Sequence, residues 1–472
     1  MEAKIQANVP APSGRWALGG LALSMLLSSL ATSIANVALP TMAQAFGASF
    51  QAVQWVVLTY LLGVTASIVT VGRLGDLYGR RRLLVGGLLV FVGAAAGSGL
   101  APSLGLLILT RAVQGVGAAV LMALTLAFVA DIVPREHTGS AMGLLGTTSA
   151  IGTALGPSVG GLLTAHLGWQ AIFFVQVPVG LLALLLVLRF LPADRTESEG
   201  ERVGFDNVGT LLLASTLAAW SLAVTLGRGD FGLVNALCLA AAAVGAGLFV
   251  LVERRVASPL VQLGMFRDPA LGAGFAMSML VATVLMATLV VGPFYLSRGL
   301  GLGAGPVGMV MAVGPLVAAL TGVPAGRLVD RLGTHRTTMA GLVGVAVGAS
   351  ILSLTPETFG ILGYAAPVVV ITASYALFQA ANNTGVLKDQ GPSRRGVVSG
   401  MLTLSRNLGL ITGASVMGAV FAAASGHADI TLAPPEDVDA GMRATFALSA
   451  GLIAVALAVA FGGRARTAPA AA

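Results

Sequence analysis

From Trp16 to Gly72 the chain carries no Asp, Glu, Lys or Arg. A helix that crosses a bilayer needs about 20 predominantly apolar residues. This run therefore holds two such helices, with a turn near Pro40 to Phe50. Over the whole chain 56% of residues are hydrophobic and 10% charged, against roughly a quarter charged in ordinary soluble domains. So little charge cannot cover the water-facing surfaces of 472 residues. The solvent is lipid. The single cysteine, Cys238, excludes a disulfide framework and a paired-cysteine metal or redox site.

The same reading carried along the chain gives an all-α polytopic membrane protein. Spans are expected near 16–39, 52–72, 83–102, 105–131, 139–164 and 169–191, then 207–227 and 231–252. Six more follow near 271–297, 305–328, 338–356, 361–387, 397–424 and 440–463. The polar first fifteen residues and the long first span argue against a cleaved signal peptide. Fourteen spans put both ends on one side, and charge tests that number. With both termini cytoplasmic, only Arg228, Arg298 and Arg443 fall outside, while Arg111 and Arg406 fall within spans. The rest of the 26 basic residues are cytoplasmic. That asymmetry is the positive-inside signature, and a miscounted helix would scramble it. It also accounts for the net charge of +7 without nucleic acid, because these side chains face anionic membrane lipids.

A charged phrase occurs twice. "GRLGDLYGRRR" at 72–82 returns as "GRLVDRLGTHR" at 326–336, an offset of 254. Each copy falls on a cytoplasmic turn, after the second and the tenth span. "SAMGLLG" after the fourth span pairs with "VVSGMLT" after the twelfth, and Asp131 pairs with Asp389. The expected organisation is a tail (1–15), a six-helix bundle (16–191), a linker (192–206), two inserted helices (207–252) without a counterpart, a linker (253–270), a second six-helix bundle (271–463) and a tail (464–472). Both linkers and both tails are cytoplasmic, and "SPLVQLGMF" in the second linker is expected along the membrane interface. Parallel halves around a central site are an architecture of transporters.

"GRLGDLYGRRR" resembles the signature turn of the major facilitator superfamily, through Gly72, Asp76, Gly79, Arg80 and Arg81. "LTRAVQGVGAA" resembles the family's fourth-helix motif through Arg111, Gln114, Gly115 and Gly117. Gly143, Gly152 and "GPSVGG" (Gly156, Pro157, Gly160 and Gly161 within it) resemble the fifth-helix motif of its exporters. "WVVLTYLL", with Tyr60, and "WQAIFFVQVPVG" at 169–180 look like the fourteen-span drug:proton antiporter branch, which more often has Arg and Asn where Gln170 and Gln176 stand. The resemblance covers nearly the whole chain. It implies two six-helix bundles plus two inserted helices. It also implies a gating latch of Asp76, Arg80 and Asp131 that holds the halves together while the site faces outward. The repeat extends the gating set to Gly326, Asp330, Gly333, Arg336 and Asp389. In the fifth helix the small residues pack tightly and Pro157 bends the span, a mechanical role.

Arg111 and Arg406 are the expensive residues, since a central arginine costs about 2.5–3.5 kcal/mol on insertion scales. Each has to face water, a partner or backbone carbonyls. A structural arginine on carbonyls and a substrate-binding one both satisfy that requirement. Gln114 shares the Arg111 face. Ser29, Thr32 and Asn36 form one polar stripe in the first span, and Gln379, Asn382 and Asn383 form a patch in the twelfth. Either set lines the site or glues helices together. The candidate substrate residues are Asn36, Tyr60, Arg111, Gln114, Gln379, Asn382, Asn383 and Arg406.

An intramembrane enzyme or sensor needs convergent catalytic or metal-binding groups at depth. Here His137, His166, His335 and His427 all lie near loops, and no acid lies mid-span. No GxxxxGK loop points to ATP, and no cofactor or metal is expected. The chain reads as a transporter and not an enzyme: a monomer in the cell (inner) membrane that exports drugs or small hydrophobic metabolites. A facilitator or importer is the alternative. With arginines and no carboxylate at depth, neutral, zwitterionic or anionic substrates are favoured over cations. "LATSIANVALP" at 30–40 resembles the branch's first-helix signature, which carries a carboxylate, the family's proposed proton carrier, where Ala31 stands. Proton antiport then falls to Asp131, or the protein runs as a facilitator.

Overall fold

The computed structural model describes residues 11–132, 138–192, 207–226, 232–256, 259, 264–265, 268–388, 392–427, 430 and 433–465. Asp389 and most of "SPLVQLGMF" lie outside this set, as do the side chains of Gly72, Asp76, Asp131 and Gly143. The regular structure among the described residues is helical throughout.

The first half runs α1 (Ala11–Phe46), α2 (Phe50–Tyr78), α3 (Arg80–Gly99), α4 (Leu104–Ile132), α5 (Thr138–Leu167), the single turn α6 (Ala171–Phe174) and α7 (Gln176–Phe190). Two helices follow, α8 (Asn207–Thr225) and α9 (Leu233–Glu253). The second half runs α10 (Pro269–Phe294), α11 (Ala304–Leu332), α12 (Thr334–Leu354), α13 (Gly360–Lys388), α14 (Pro392–Thr412), α15 (Gly418–Ala424) and α16 (Pro435–Ala465). Wide π-helical turns extend α10 (Tyr295–Gly299) and join α14 to α15 (Gly413–Met417). Among the described residues twelve helical rods are long and apolar enough to cross a membrane, with α6–α7 and α14–α15 each counting as one. α5, with 30 residues, and α8, with 19, bring the rods to fourteen.

The helices run further than hydropathy alone suggests. α2 continues through most of the charged phrase, so Asp76 lies in its last turns and not on a loop. What ends it is Gly79, with φ 93°, and the equivalent Gly333 ends α11 with φ 80°. A side chain at either position would be strained, and glycine takes this conformation freely. The two copies therefore keep one backbone break, and the next helix starts at the following residue in both. Other helix starts are capped conventionally. Ser49 accepts from Ala52 N, and Asp268 accepts from Ala270 N at 2.9 Å with Pro269 in the first helical position.

Within the first half α1 packs on α5, α7 and α4, and α2 and α3 both pack on α4. Within the second, α10 packs on α14 and α16, and α13 on α11 and α12. The halves meet along two seams, α5 against α11 and α2 against α14, with α1 against α10 between them. α8 and α9 pair with each other, and α8 packs on the bundles, touching α2, α14, the π turn and α15. α9 is mostly exposed, whereas two thirds of the best window of α1 is buried.

Candidate functional site: a cavity between the halves

A cavity of about 400 Å³ opens where the halves meet. Its walls come from α5 (Ser149, Thr153), α10 (Leu285, Thr288, Leu289), α11 (Met311 to Gly322), α13 and α14 (Arg406). α13 supplies the longest wall, with Tyr364, Val368, Thr372, Tyr375, Gln379 and Asn383. These recur at spacings of three and four, one face of a helix. A second compartment of about 100 Å³ adjoins it and shares Tyr375, Gln379, Asn383 and Arg406. Its other walls include Ser278, Asn382, Ser399 and Thr403. Asn382 is tied down, donating from Nδ2 to Gly274 O at 3.1 Å. Tyr364 donates to Thr288 O at 3.0 Å, which fixes α13 to α10 at the cavity wall. No described residue of α8 or α9 lines either compartment.

Asn36, Tyr60, Arg111 and Gln114 are placed elsewhere. Arg111 is fully buried inside the first half. Its guanidinium donates to Gln114 Oε1 at 2.7 Å, Val56 O at 3.1 Å and Ala31 O at 3.1 Å, and lies 4.2 Å over the Tyr60 ring. Gln114 passes the chain on, donating to Gln176 Oε1 at 2.9 Å, and Gln176 donates to Ile172 O at 2.8 Å. Tyr60 donates to Ser28 O at 2.8 Å. Arg111, Tyr60, Gln114 and Gln176 thus join α1, α2, α4, α6 and α7. Close backbone approach makes this possible: a Cβ added at Gly63 or Gly115 would strike the facing helix backbone. Ser29 Oγ meets Ser149 Oγ at 2.6 Å, and Asn36 donates to Thr32 O at 3.0 Å within its own helix.

The glycines of α5 divide between two partners. A Cβ at Gly152, Gly156 or Gly160 would meet α1, in the same half. At Gly161 it would meet Gly308 and Ala304 O of α11, in the other half. This contact lies at the end of the molecule away from the arginine-rich turns. Further cross-half contacts lie at the same end. Phe50 of α2 packs edge-on against Phe294 (ring centroids 4.6 Å apart) and Phe421 (5.6 Å), and Gln54 donates to Ala414 O at 3.3 Å. At the arginine-rich end Arg81 donates to Leu188 O at 2.6 Å, within its own half. His335, Arg336 and Lys388 line a groove of about 710 Å³ between α10, α11, α12, α13 and α16 there, while Gly326 and Asp330 lie in the last turns of α11 and do not line it.

Two bundles of membrane-crossing helices enclosing a central cavity define a polytopic transport protein. A family description of the major facilitator superfamily matches residues 21–414, and the chain belongs to that family. It is 32% identical to the multidrug resistance protein Stp of Mycobacterium tuberculosis, over 86% of this chain and 75% of Stp. It is 29% identical to the riboflavin transporter RibZ of Clostridioides difficile, over 85% and 87% of the two chains. The fold matches a bacterial homolog of the human lysosomal transporter Spinster with a TM-score of 0.69, at 16% identity and over 96% and 97% of the chains. The protein is therefore a multi-pass membrane transporter of small molecules and belongs to no enzyme family.

Proposed function

We propose that this transporter exports drugs or small hydrophobic metabolites from the cytoplasm by alternating access, as a monomer in the cell (inner) membrane with both termini cytoplasmic. The observation that carries this reading is the cavity between the halves, sealed by α5 against α11 and by α2 against α10, the π turn and α15 at the end away from the arginines. With the basic turns inside, that is the external end, and the cavity belongs to the inward-facing state. The likeness to Stp, named for multidrug resistance, supports export of drugs; the likeness to RibZ supports a metabolite as cargo.

The substrate reading assigns Gln379, Asn383 and Arg406 to the cargo, with Asn382 positioned behind them. Asn36, Tyr60, Arg111 and Gln114 then serve the same cycle by keeping the first half rigid. The latch reading assigns Asp76, Arg80 and Asp131 to closure of the cytoplasmic end, with Asp330, Arg336 and Asp389 as their repeat counterparts. Ala31 leaves Asp131 as the candidate proton carrier, or transport runs down the substrate gradient.

Expression in cells stripped of their own pumps tests the export reading. Accumulation of neutral, zwitterionic and anionic compounds should fall, and the chain should confer no resistance to quaternary ammonium compounds, whose fixed charge meets arginine and no carboxylate in the cavity. A panel in which only quaternary ammonium compounds are exported overturns it. Asp76→Asn should reduce transport several-fold while leaving the amount of folded protein unchanged, because a latch biases an equilibrium between two states. Full activity in that variant would remove the latch assignment.

A further inference from the structure

Arg406 is exposed, lines both compartments and has no hydrogen-bond or ion-pair partner among the described residues. It lies fourteen residues into α14, counted from Pro392, roughly 21 Å along the helix axis at 1.5 Å per residue, and within a rod apolar enough to cross a membrane. A guanidinium at that depth is expensive unless something answers its charge. No acidic side chain among the described residues lines either compartment. Gln379 and Asn383 on the facing helix are equally without partners among the described residues. Three polar side chains thus converge on one spot, and no described residue satisfies any of them. Arg111 shows the contrast, since its charge is fully answered within the fold.

The two compartments differ in character. The smaller carries the hydroxyls of Ser278, Ser399 and Thr403 beside the amides. The larger carries Leu285, Leu289, Met311, Val368 and the Tyr364 ring, and its volume is that of a small-molecule site. Resting on the reading of this cavity as the cargo site, the geometry points to an amphiphilic organic monoanion as substrate. Its carboxylate or sulfonate sits against Arg406 in the small compartment, and its apolar body fills the large one. One arginine answers one negative charge, and its planar fork matches an oxyanion with two parallel hydrogen bonds. The amides of Gln379 and Asn383 supply further donors to the same oxygens.

The test is calorimetric binding to the purified full chain in lipid nanodiscs, with three probes of one shape. These are 4-(1-naphthyl)butanoate, its neutral amide and the matching trimethylammonium compound. The carboxylate should bind about ten-fold or more tightly than the amide, and the cation should not bind. Arg406→Gln should abolish the carboxylate's advantage over the amide, while Arg406→Lys recovers part of it. Should Arg406→Gln yield no folded protein, Ser399→Leu, which fills the small compartment and leaves the arginine in place, should abolish the same preference. Equal binding of carboxylate and amide to the parent, no binding of the carboxylate at millimolar concentration, or a carboxylate preference that survives Arg406→Gln or Ser399→Leu would overturn the proposal. Carboxylate-selective binding without export in cells would overturn the export reading alone.

Discussion

Gln114→Leu should destabilise the protein by about 3 kcal/mol, seen as a fall in the thermal midpoint and in yield. The reason is the charge it strands. Arg111 loses its 2.7 Å partner, and Gln176 Oε1 loses its donor. Water cannot compensate, because Arg111, Gln114 and Gln176 are all fully buried. The double variant Arg111→Met with Gln114→Leu should be more stable than Gln114→Leu alone. It removes the buried cation together with its acceptor, and replacing both partners by apolar groups of similar shape is often tolerated where breaking one is not. A Gln114→Leu protein as stable as its parent, or a double variant weaker than the single, would show that the network does not hold the first half together.

Gly161→Leu should reduce transport to about a tenth of the parental rate or less while the protein still folds, since α5 keeps its packing on α1 through Gly152, Gly156 and Gly160. The new side chain would collide with Gly308 and Ala304 O, so α5 and α11 could no longer close at the external end. The population should shift towards the state open on that side. With Cys238 replaced by alanine and Thr153, on the cavity wall, replaced by cysteine, an impermeant thiol reagent added outside should label the Gly161→Leu protein faster than its parent. Unchanged labelling with unchanged transport would mean that the α5–α11 contact does not gate the cavity.

Much of the architecture was legible because it follows from the cost of charge in lipid. The rods and the two halves follow from where charges stand and where the charged phrase returns, whereas the helix breaks at Gly79 and Gly333 appear only in the backbone. The helix ends were less legible, since hydropathy marks where lipid ends and not where hydrogen bonding stops, so α2 ran through Asp76. Arg111 shows a deeper limit. Its burial cost is met by carbonyls of Val56 and Ala31 as well as it would be by a water-filled lumen, and only the tertiary approach of α1, α2 and α4 decides between them. The α13 wall was within reach, since Tyr364, Thr372, Tyr375, Gln379 and Asn383 share one helical face, but a tyrosine carries no charge or amide to set it apart in an apolar span.

α8 covers the seam between α2 and α14, and nothing comparable covers the seam between α5 and α11 among the described residues. There α11 turns Leu316, Leu320 and Val323 outward, each more than half exposed. Lipid therefore wets α11 directly along that seam, while on the opposite flank α8 stands between the lipid and the joint of α2 and α14.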